Sequence, residues 1–147
     1  MNEGAGGMES FHMLIFRVFH RQRQFLRPYM SRMGLAPGQP RVLHYLEQNG
    51  PCRQRALAEY NEVDPATICR MLDTMEKSGL ITRRADRQDR RAGLVSLTEA
   101  GRQATLRWRE RCREMEEVML QDFSQQEREQ FHRLLKRAYR NLGGKQG

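Results

Sequence analysis

The chain has 147 residues, 30% of which are charged, and its formal net charge at pH 7 is +8. This length fits one domain, and the positive balance predicts a polyanionic partner such as nucleic acid. The sequence has neither an apolar run of about 18 residues, as a membrane span requires, nor a signal-peptide pattern, so we expect a cytoplasmic protein without a membrane partner.

The first predicted element is a long amphipathic helix that follows a short lead-in. Residues 1–7 are polar and rich in glycine, and we expect them to be disordered. Apolar residues then recur at helical spacing from Met8 to Met33, which predicts a helix with one apolar face. Pro28 predicts a kink within this helix, and Gly34 predicts its end because glycine favours the conformation that follows a helix.

Three shorter helices are predicted between residues 36 and 79. One begins near Pro37 and ends at the turn sequence of residues 49–51, and the next covers about residues 53–60. The third opens at Asp64 and Pro65, because aspartate suits the N-cap and proline the first helical position. Its apolar positions are Ile68, Met71, Leu72 and Met75.

The apolar pattern changes after residue 79. Residues 80–84 and 94–97 are predicted to be strands, and the polar segment 85–93 between them predicts a β-hairpin with a long charged tip. Thr98 is predicted to cap a long helix, and residues 124–127 form a capping box for the last helix. The two helices have apolar stripes at Ala104, Trp108, Cys112, Met115 and Met119, and at Phe131, Leu134, Leu135, Ala138 and Leu142.

This order of elements predicts a mainly α fold with a small β-hairpin wing. Two short helices joined by a tight turn and followed by a hairpin are typical of the winged helix-turn-helix. We expect a single domain over residues 8–147, with residues 36–98 as a DNA-binding lobe and residues 8–34 and 99–142 as a helical dimerisation layer. The stripes of these outer helices would leave a large apolar patch on one chain, so we expect a homodimer.

The helix that opens at Pro65 is predicted to read duplex DNA. If Ile68 and Leu72 face the core, the helical period turns Arg70 away from it, with the threonines on one shoulder. Its first turn then offers a methyl group, a hydroxyl and a guanidinium, which suit thymine and guanine in the major groove. With two arginines of the preceding helix, the predicted DNA-binding residues are Arg53, Arg55, Ala66, Thr67, Arg70 and Thr74.

The predicted hairpin carries a concentration of positive charge. Residues 81–91 contain five arginines and two aspartates, a net charge of +3. Such a loop repels itself unless an anion is near, so contact with DNA phosphates is expected. The candidates are Arg87, Arg90 and Arg91, and Asp89 can brace a neighbouring arginine before it meets DNA.

Residues 86–101, DRQDRRAGLVSLTEAG, resemble the wing signature of MarR-family regulators, in which an Asp-Arg-Arg group precedes a strand that ends in Leu-Thr-x-x-Gly. Residues 57–59, 67–70 and 76–81 also resemble the helix-turn-helix of that family. The resemblance implies a transcriptional regulator, more often a repressor, that binds a palindromic operator as an obligate dimer with interleaved terminal helices. It also implies that Arg90 enters the minor groove and that Asp89 and Arg91 are a bracing pair.

The resemblance further implies control by a small effector. Many members of the family release DNA when an aromatic or phenolic molecule enters a crevice between the dimer helices and the DNA-binding lobe. We predict that such a pocket is formed by His12, Phe16, Phe19, His44, Tyr45 and Trp108.

Two other functions are open at this point. One is an architectural protein that coats DNA without sequence preference, although a base-facing Thr67 and Arg70 argue against it because coating needs only phosphate contacts. The other is a metabolite or redox sensor whose DNA binding is secondary. Organic-peroxide sensors of the family have a reactive cysteine in the first helix, which has none here, so Cys69 beside the recognition face is the redox candidate.

Enzymatic functions find no support in the sequence. The three cysteines are widely spaced and fit neither a disulfide framework nor paired zinc ligands. The four histidines lack metal-ligand spacing, and neither a nucleophile elbow nor a phosphate-binding loop occurs. We therefore expect no metal, no cofactor and no catalytic residue.

Overall fold

The computed structural model describes residues 9–85, 87 and 93–145. Within these ranges the chain forms six helices and three strands: α1 (Phe11–Arg32), α2 (Gln39–Asn49), β1 (Cys52–Arg53), α3 (Gln54–Asn61), α4 (Pro65–Lys77), β2 (Ile81–Ala85), β3 (Gly93–Leu97), α5 (Glu99–Met119) and α6 (Gln125–Asn141). The predicted lead-in at residues 1–7 and the wing-tip residues Asp89, Arg90 and Arg91 lie outside the described residues. The mainly α fold with a small sheet is confirmed.

The hydrophobic core lies in the lobe formed by α2, α3, α4 and the sheet. The predicted inner face of α4 is confirmed, since Ile68, Leu72 and Met75 are fully buried. They pack with buried side chains of the neighbouring elements, which include Val42, Leu43, Leu57, Ile81 and Val95. Burying each of these side chains contributes about 1.5–3 kcal/mol, so the lobe has a core of its own beneath the exposed face of α4.

The sheet has three antiparallel strands in the order β1-β3-β2, one more than predicted. Strands β2 and β3 form the predicted hairpin, in which Ile81 pairs with Leu97. The added strand β1 pairs Cys52 with Val95. The expectation that residue 53 begins a helix was wrong, because Arg53 has extended backbone angles and serves as the N-cap of α3. A strand of two residues has no periodicity that a sequence pattern could reveal.

The helix ends follow the capping signals in the sequence. The Thr67 amide donates to the Asp64 side chain at the start of α4, and Ser124 and Glu127 form the predicted capping box of α6. Helix α2 begins two residues later than predicted, because Gly38 has a φ of +87° and is therefore not helical. Helix α1 continues through Pro28 as one helix.

A close contact joins the start of α5 to the loop that follows α4. The Thr98 hydroxyl donates to the Gly79 carbonyl over 2.5 Å, and the Thr98 amide donates to the Leu80 carbonyl over 3.1 Å. A Cβ atom at Gly101 would lie only 2.1 Å from the same Leu80 oxygen. The Leu-Thr-x-x-Gly motif therefore fixes α5 to the winged lobe, and we call this contact the α5 seam.

The outer helices leave their apolar faces uncovered in the single chain. Neither α1 nor α6 contains a buried residue. As predicted, the α6 stripe stays uncovered within one chain, where Leu135 is 47% exposed and Leu142 is 89% exposed. Helix α1 lies beside α5, with the Gln22 amide 3.1 Å from the Met119 sulfur. Within the described ranges, no helix is both long and apolar enough to cross a membrane.

Candidate nucleic-acid interface

A tight turn positions α4 relative to α3. Glu62 ends α3 with a left-handed φ of 53°, which reverses the chain within three residues. The Val63 amide donates to the Ala58 carbonyl, and Asp64 then caps α4. Because Leu57 and Ile68 are both fully buried, α3 and α4 share one core and hold a fixed relative orientation.

The exposed face of α4 carries the four residues predicted for it. Ala66, Arg70 and Thr74 are exposed and Thr67 is half-buried, and together they lie opposite the buried stripe of the same helix. We call this surface the α4 face. It presents a methyl group, hydroxyls and a guanidinium on one side of a single helix, as the major groove of duplex DNA requires.

Hydrogen bonds link the first turn of the α4 face. The Thr67 hydroxyl donates to Asp64 Oδ2 over 2.6 Å, and the Thr67 amide donates to Asp64 Oδ1 over 2.8 Å. These two bonds hold the pKa of the Asp64 carboxyl below its usual range. Arg70 Nη2 donates to the Thr67 hydroxyl oxygen over a longer distance of 3.4 Å. Arg70 is therefore only weakly held and can reach outward.

The two predicted arginines of the preceding segment, Arg53 and Arg55, are both exposed. Arg55 has a side chain that is 89% exposed, and its ion pair with Glu59 is a surface pair of little energetic weight. Arg55 also lines a cleft of about 560 Å³ together with Pro65, at the first turn of α4. Arg53 is exposed at the end of β1. The structure thus places Arg55 near the first residue of α4.

Arg83 has a different role from the one that the wing charge count implied. Its guanidinium pairs with Asp73 and with Glu76 of α4, the latter over 3.1 Å, and its amide donates to Glu76 as well. Hydrogen bonds to the carboxylates of Asp73 and Glu76 raise the pKa of Arg83. Its charge is compensated within the chain, so Arg83 adds nothing to the uncompensated positive charge that the charge count assigned to the hairpin. Arg87 is exposed.

Neither of the two clefts described here is lined by any of the six residues predicted for an effector pocket, and that prediction concerns a crevice of the dimer. Tyr45 packs against Tyr60 with ring centroids 4.7 Å apart, and Trp108 is half-buried against the core. The others are exposed on α1 and α2: His12, Phe16, Phe19 and His44. A groove of about 640 Å³ instead lies between α1 and α5, lined by apolar residues that include Leu14, Val18, Phe25, Met115 and Val118. Sequence reasoning found these stripes but not the groove between them.

All three cysteines are free thiols and half-buried. Burial raises the pKa of Cys52 to about 11, and burial with the nearby Glu116 raises the pKa of Cys112. The thiolate is the reactive form of cysteine, so neither of these residues is suited to a redox role at neutral pH. Cys69 lies on the flank of the α4 face.

Comparisons with known proteins agree with this arrangement. The sequence model of the MarR family matches residues 35–92, which cover the helix-turn-helix and most of the wing. A putative transcriptional regulatory protein for the hcr operon of Thauera aromatica is 32% identical over 118 residues, which are 80% of this chain and 71% of that protein.

Two solved structures have the same fold. A MarR-family transcriptional regulator from Silicibacter pomeroyi is 30% identical with a TM-score of 0.75, over 87% of this chain and 86% of that one. The PcaV transcriptional regulator from Streptomyces coelicolor, solved with its natural ligand, is 25% identical with a TM-score of 0.76, over 88% of this chain and 92% of that one.

Proposed function

The chain belongs to the MarR family of transcriptional regulators, and on that premise we propose that it is a homodimeric repressor that binds a palindromic DNA operator. The α4 face is the observation that carries this proposal. The recognition helix of a helix-turn-helix contacts base edges through its N-terminal residues. The residues there are the exposed Ala66 and Arg70 and the half-buried Thr67. Arg70 suits a guanine and Ala66 a thymine methyl group.

Arginines around the α4 face supply phosphate contacts. Arg53, Arg55 and Arg87 are exposed near the helix-turn-helix or in the wing. We assign Arg90 to the minor groove and Asp89 with Arg91 to a bracing pair, which are roles that rest on the resemblance of the wing sequence to the family signature. The excess of positive charge on the chain favours association with a polyanion.

The homodimer is supported by the uncovered helices α1 and α6. Large side chains of the α6 stripe, such as Phe131, Leu134 and Leu135, are between 38% and 47% exposed in the single chain. An apolar surface of this extent is unfavourable in water and marks an interface. An obligate dimer of this kind buries more than about 2,000 Å². Two-fold symmetry then sets the two α4 helices about one DNA turn, roughly 34 Å, apart, which predicts an inverted-repeat operator.

A small aromatic effector belongs to the same proposal. The relative from Streptomyces coelicolor was solved with its natural ligand. Tyr45 and Trp108 are half-buried against the core of the winged lobe, and exposed aromatic residues of α1 can complete a pocket in the dimer. A molecule bound there would change the separation of the two lobes without touching the DNA contacts.

The test is selection of bound sequences from a random duplex pool, combined with light scattering on the free protein. We expect a dimer that selects an inverted repeat with half-sites about ten base pairs apart. A chain that binds all sequences with equal affinity and loses binding uniformly as salt rises would instead be an architectural protein. A chain that is monomeric when bound to its operator would contradict the dimer.

A further inference from the structure

The hydrogen bonds of Asp64 and Thr67 determine where the proton of the Thr67 hydroxyl lies. Thr67 Oγ1 is 2.6 Å from Asp64 Oδ2, which is a short and strong contact. The pKa of Asp64 is lowered by its bonds to Thr67, so the carboxyl is ionised at neutral pH and has no proton to donate. The proton in this bond therefore belongs to Thr67 and points at Asp64.

Any further hydrogen bond of Thr67 Oγ1 must be one in which the oxygen accepts. A hydroxyl has one hydrogen and two lone pairs. The hydrogen is used by Asp64, and one lone pair receives the weaker bond from Arg70 Nη2 at 3.4 Å. One lone pair is left for a partner outside the chain. The exposed Asp64 carboxylate beside it accepts hydrogen bonds as well.

Only two bases can donate a hydrogen bond in the major groove. Cytosine does so through N4 and adenine through N6, whereas guanine and thymine present only acceptors there. An acceptor at Thr67 is attracted to the first pair and repelled by the second. The carboxylate of Asp64 adds to the same preference, because aspartate accepts from cytosine N4.

We propose that Asp64 orients Thr67 to read an amino-bearing base, cytosine or adenine, while Arg70 reads a guanine at a neighbouring base pair. The inference rests on the proposed function, since it requires α4 to lie in the major groove. It makes Asp64 a positioning residue, because Asp64 determines that the Thr67 hydroxyl accepts a hydrogen bond from the base instead of donating one.

Asp64→Asn tests the orientation directly because asparagine is an equally good N-cap. Its carbonyl oxygen still accepts from the Thr67 amide, so its NH₂ group faces the Thr67 hydroxyl and turns the hydroxyl proton away. Sequence selection with the wild-type chain should show about a tenfold preference for cytosine or adenine at one position of each half-site. In Asp64→Asn the strand that carried cytosine or adenine at this position should carry guanine or thymine instead, with the Arg70 guanine at the neighbouring pair unchanged.

Two threonine variants separate the hydroxyl from the fold. Thr67→Ser keeps the hydroxyl and should retain the wild-type base preference, whereas Thr67→Val should lose it or move it to thymine, whose methyl group suits an apolar side chain. Ser78→Ala, which removes a hydroxyl at the far end of α4, is the matched control and should select the wild-type site.

The outcomes distinguish this inference from the proposed function. If the wild-type chain selects an inverted repeat but Asp64→Asn and Thr67→Val select the same bases at every position, the assignment of Thr67 is wrong and the proposed function stands. If the wild-type chain selects no sequence, the proposed function fails and the inference fails with it.

Discussion

Arg83 on strand β2 donates a hydrogen bond to Asp73 on helix α4, so the strand that leads into the wing is tied directly to this helix. The same guanidinium binds Glu76 one turn along, and its side chain is only 24% exposed. Because Asp73 and Glu76 share the Arg83 guanidinium, strand β2 is held at a fixed angle to helix α4. This angle matters for binding because the two elements must fit adjacent grooves of one DNA duplex.

Arg83→Gln is expected to weaken operator binding severalfold without changing the dependence of affinity on salt. The ion pairs of Arg83 with Asp73 and Glu76 are lost, but no phosphate contact is removed. The dependence of affinity on salt reports only phosphate contacts and should therefore stay the same. Arg84→Gln is the matched control, since it removes the same charge from the exposed neighbouring position. Binding measured at several salt concentrations checks this prediction. A salt slope that falls by about one unit in Arg83→Gln would mean that Arg83 contacts phosphate after all.

Gly101→Ala is expected to lower the free energy of unfolding by about 1–3 kcal/mol, because the added methyl group must displace backbone. Its Cβ would lie 2.1 Å from the Leu80 oxygen in the α5 seam. Gly93→Ala is the control, since its Cβ would meet the Arg84 oxygen at an ordinary 3.6 Å. Denaturant unfolding at one fixed protein concentration compares the two variants. Equal stability of both would show that the seam tolerates a side chain.

Arg70→Ala is expected to cost about 1–3 kcal/mol of binding at the operator and to relax the preference at one base pair in each half-site. Lys77→Ala removes a charge from the exposed far end of the same helix and should leave the preference intact. Competition binding against operators changed at single positions measures both effects. A uniform loss over unrelated sequences would assign Arg70 to the DNA backbone.

Arg90→Ala is expected to weaken binding and to reduce the salt slope by about one unit, because one phosphate or minor-groove contact is lost. We expect the free energy of unfolding to stay within about 0.5 kcal/mol of the wild type, as for most surface substitutions. Titrations at several salt concentrations test the assignment. Wild-type affinity at every salt concentration would show that Arg90 does not contact the DNA.

Leu135→Asp is expected to produce a monomer or an unfolded chain, and to abolish operator binding, because it places a charge in the apolar stripe of α6. Gln126→Asp introduces the same side chain on the opposite side of α6 and should leave the dimer intact. Sedimentation and operator binding are measured on both variants. A Leu135→Asp protein that stays dimeric and binds DNA would show that the stripe is not the dimer interface.

Local signals explain why most of the fold could be predicted from the sequence. Asp64, Thr98 and Ser124 cap their helices through neighbours three residues away, so their roles are contained in short sequence patterns. The role of Arg83 could not be predicted in this way. Its partners lie seven and ten residues away on another element, and an ion pair across elements leaves no periodic trace.

In the candidate site, too, local features could be predicted from the sequence and contacts between separate elements could not. The α4 face follows from the helical period once Ile68 and Leu72 are assigned to the core, so Ala66, Thr67 and Arg70 were found from the sequence. The direction of the Thr67 proton depends on the distance to Asp64, which a sequence pattern does not contain. The groove between α1 and α5 depends on how two distant helices pack, which periodicity alone does not fix.

Through the α5 seam, a movement of the far end of helix α5 is expected to displace the winged lobe. Helix α5 has 21 residues, so at a rise of 1.5 Å per residue it extends about 30 Å from the seam to its far end beside α1. A tilt of about 5° at one end of such a rod displaces the other end by about 3 Å, close to the rise of one base pair. Because Thr98 and Gly101 hold the start of α5 tightly against the loop that follows α4, we expect a small rotation of α5 at its far end to move the α4 face as well. In the proposed dimer, a ligand bound far from the DNA would thereby move the two halves out of step with the helical repeat of the operator.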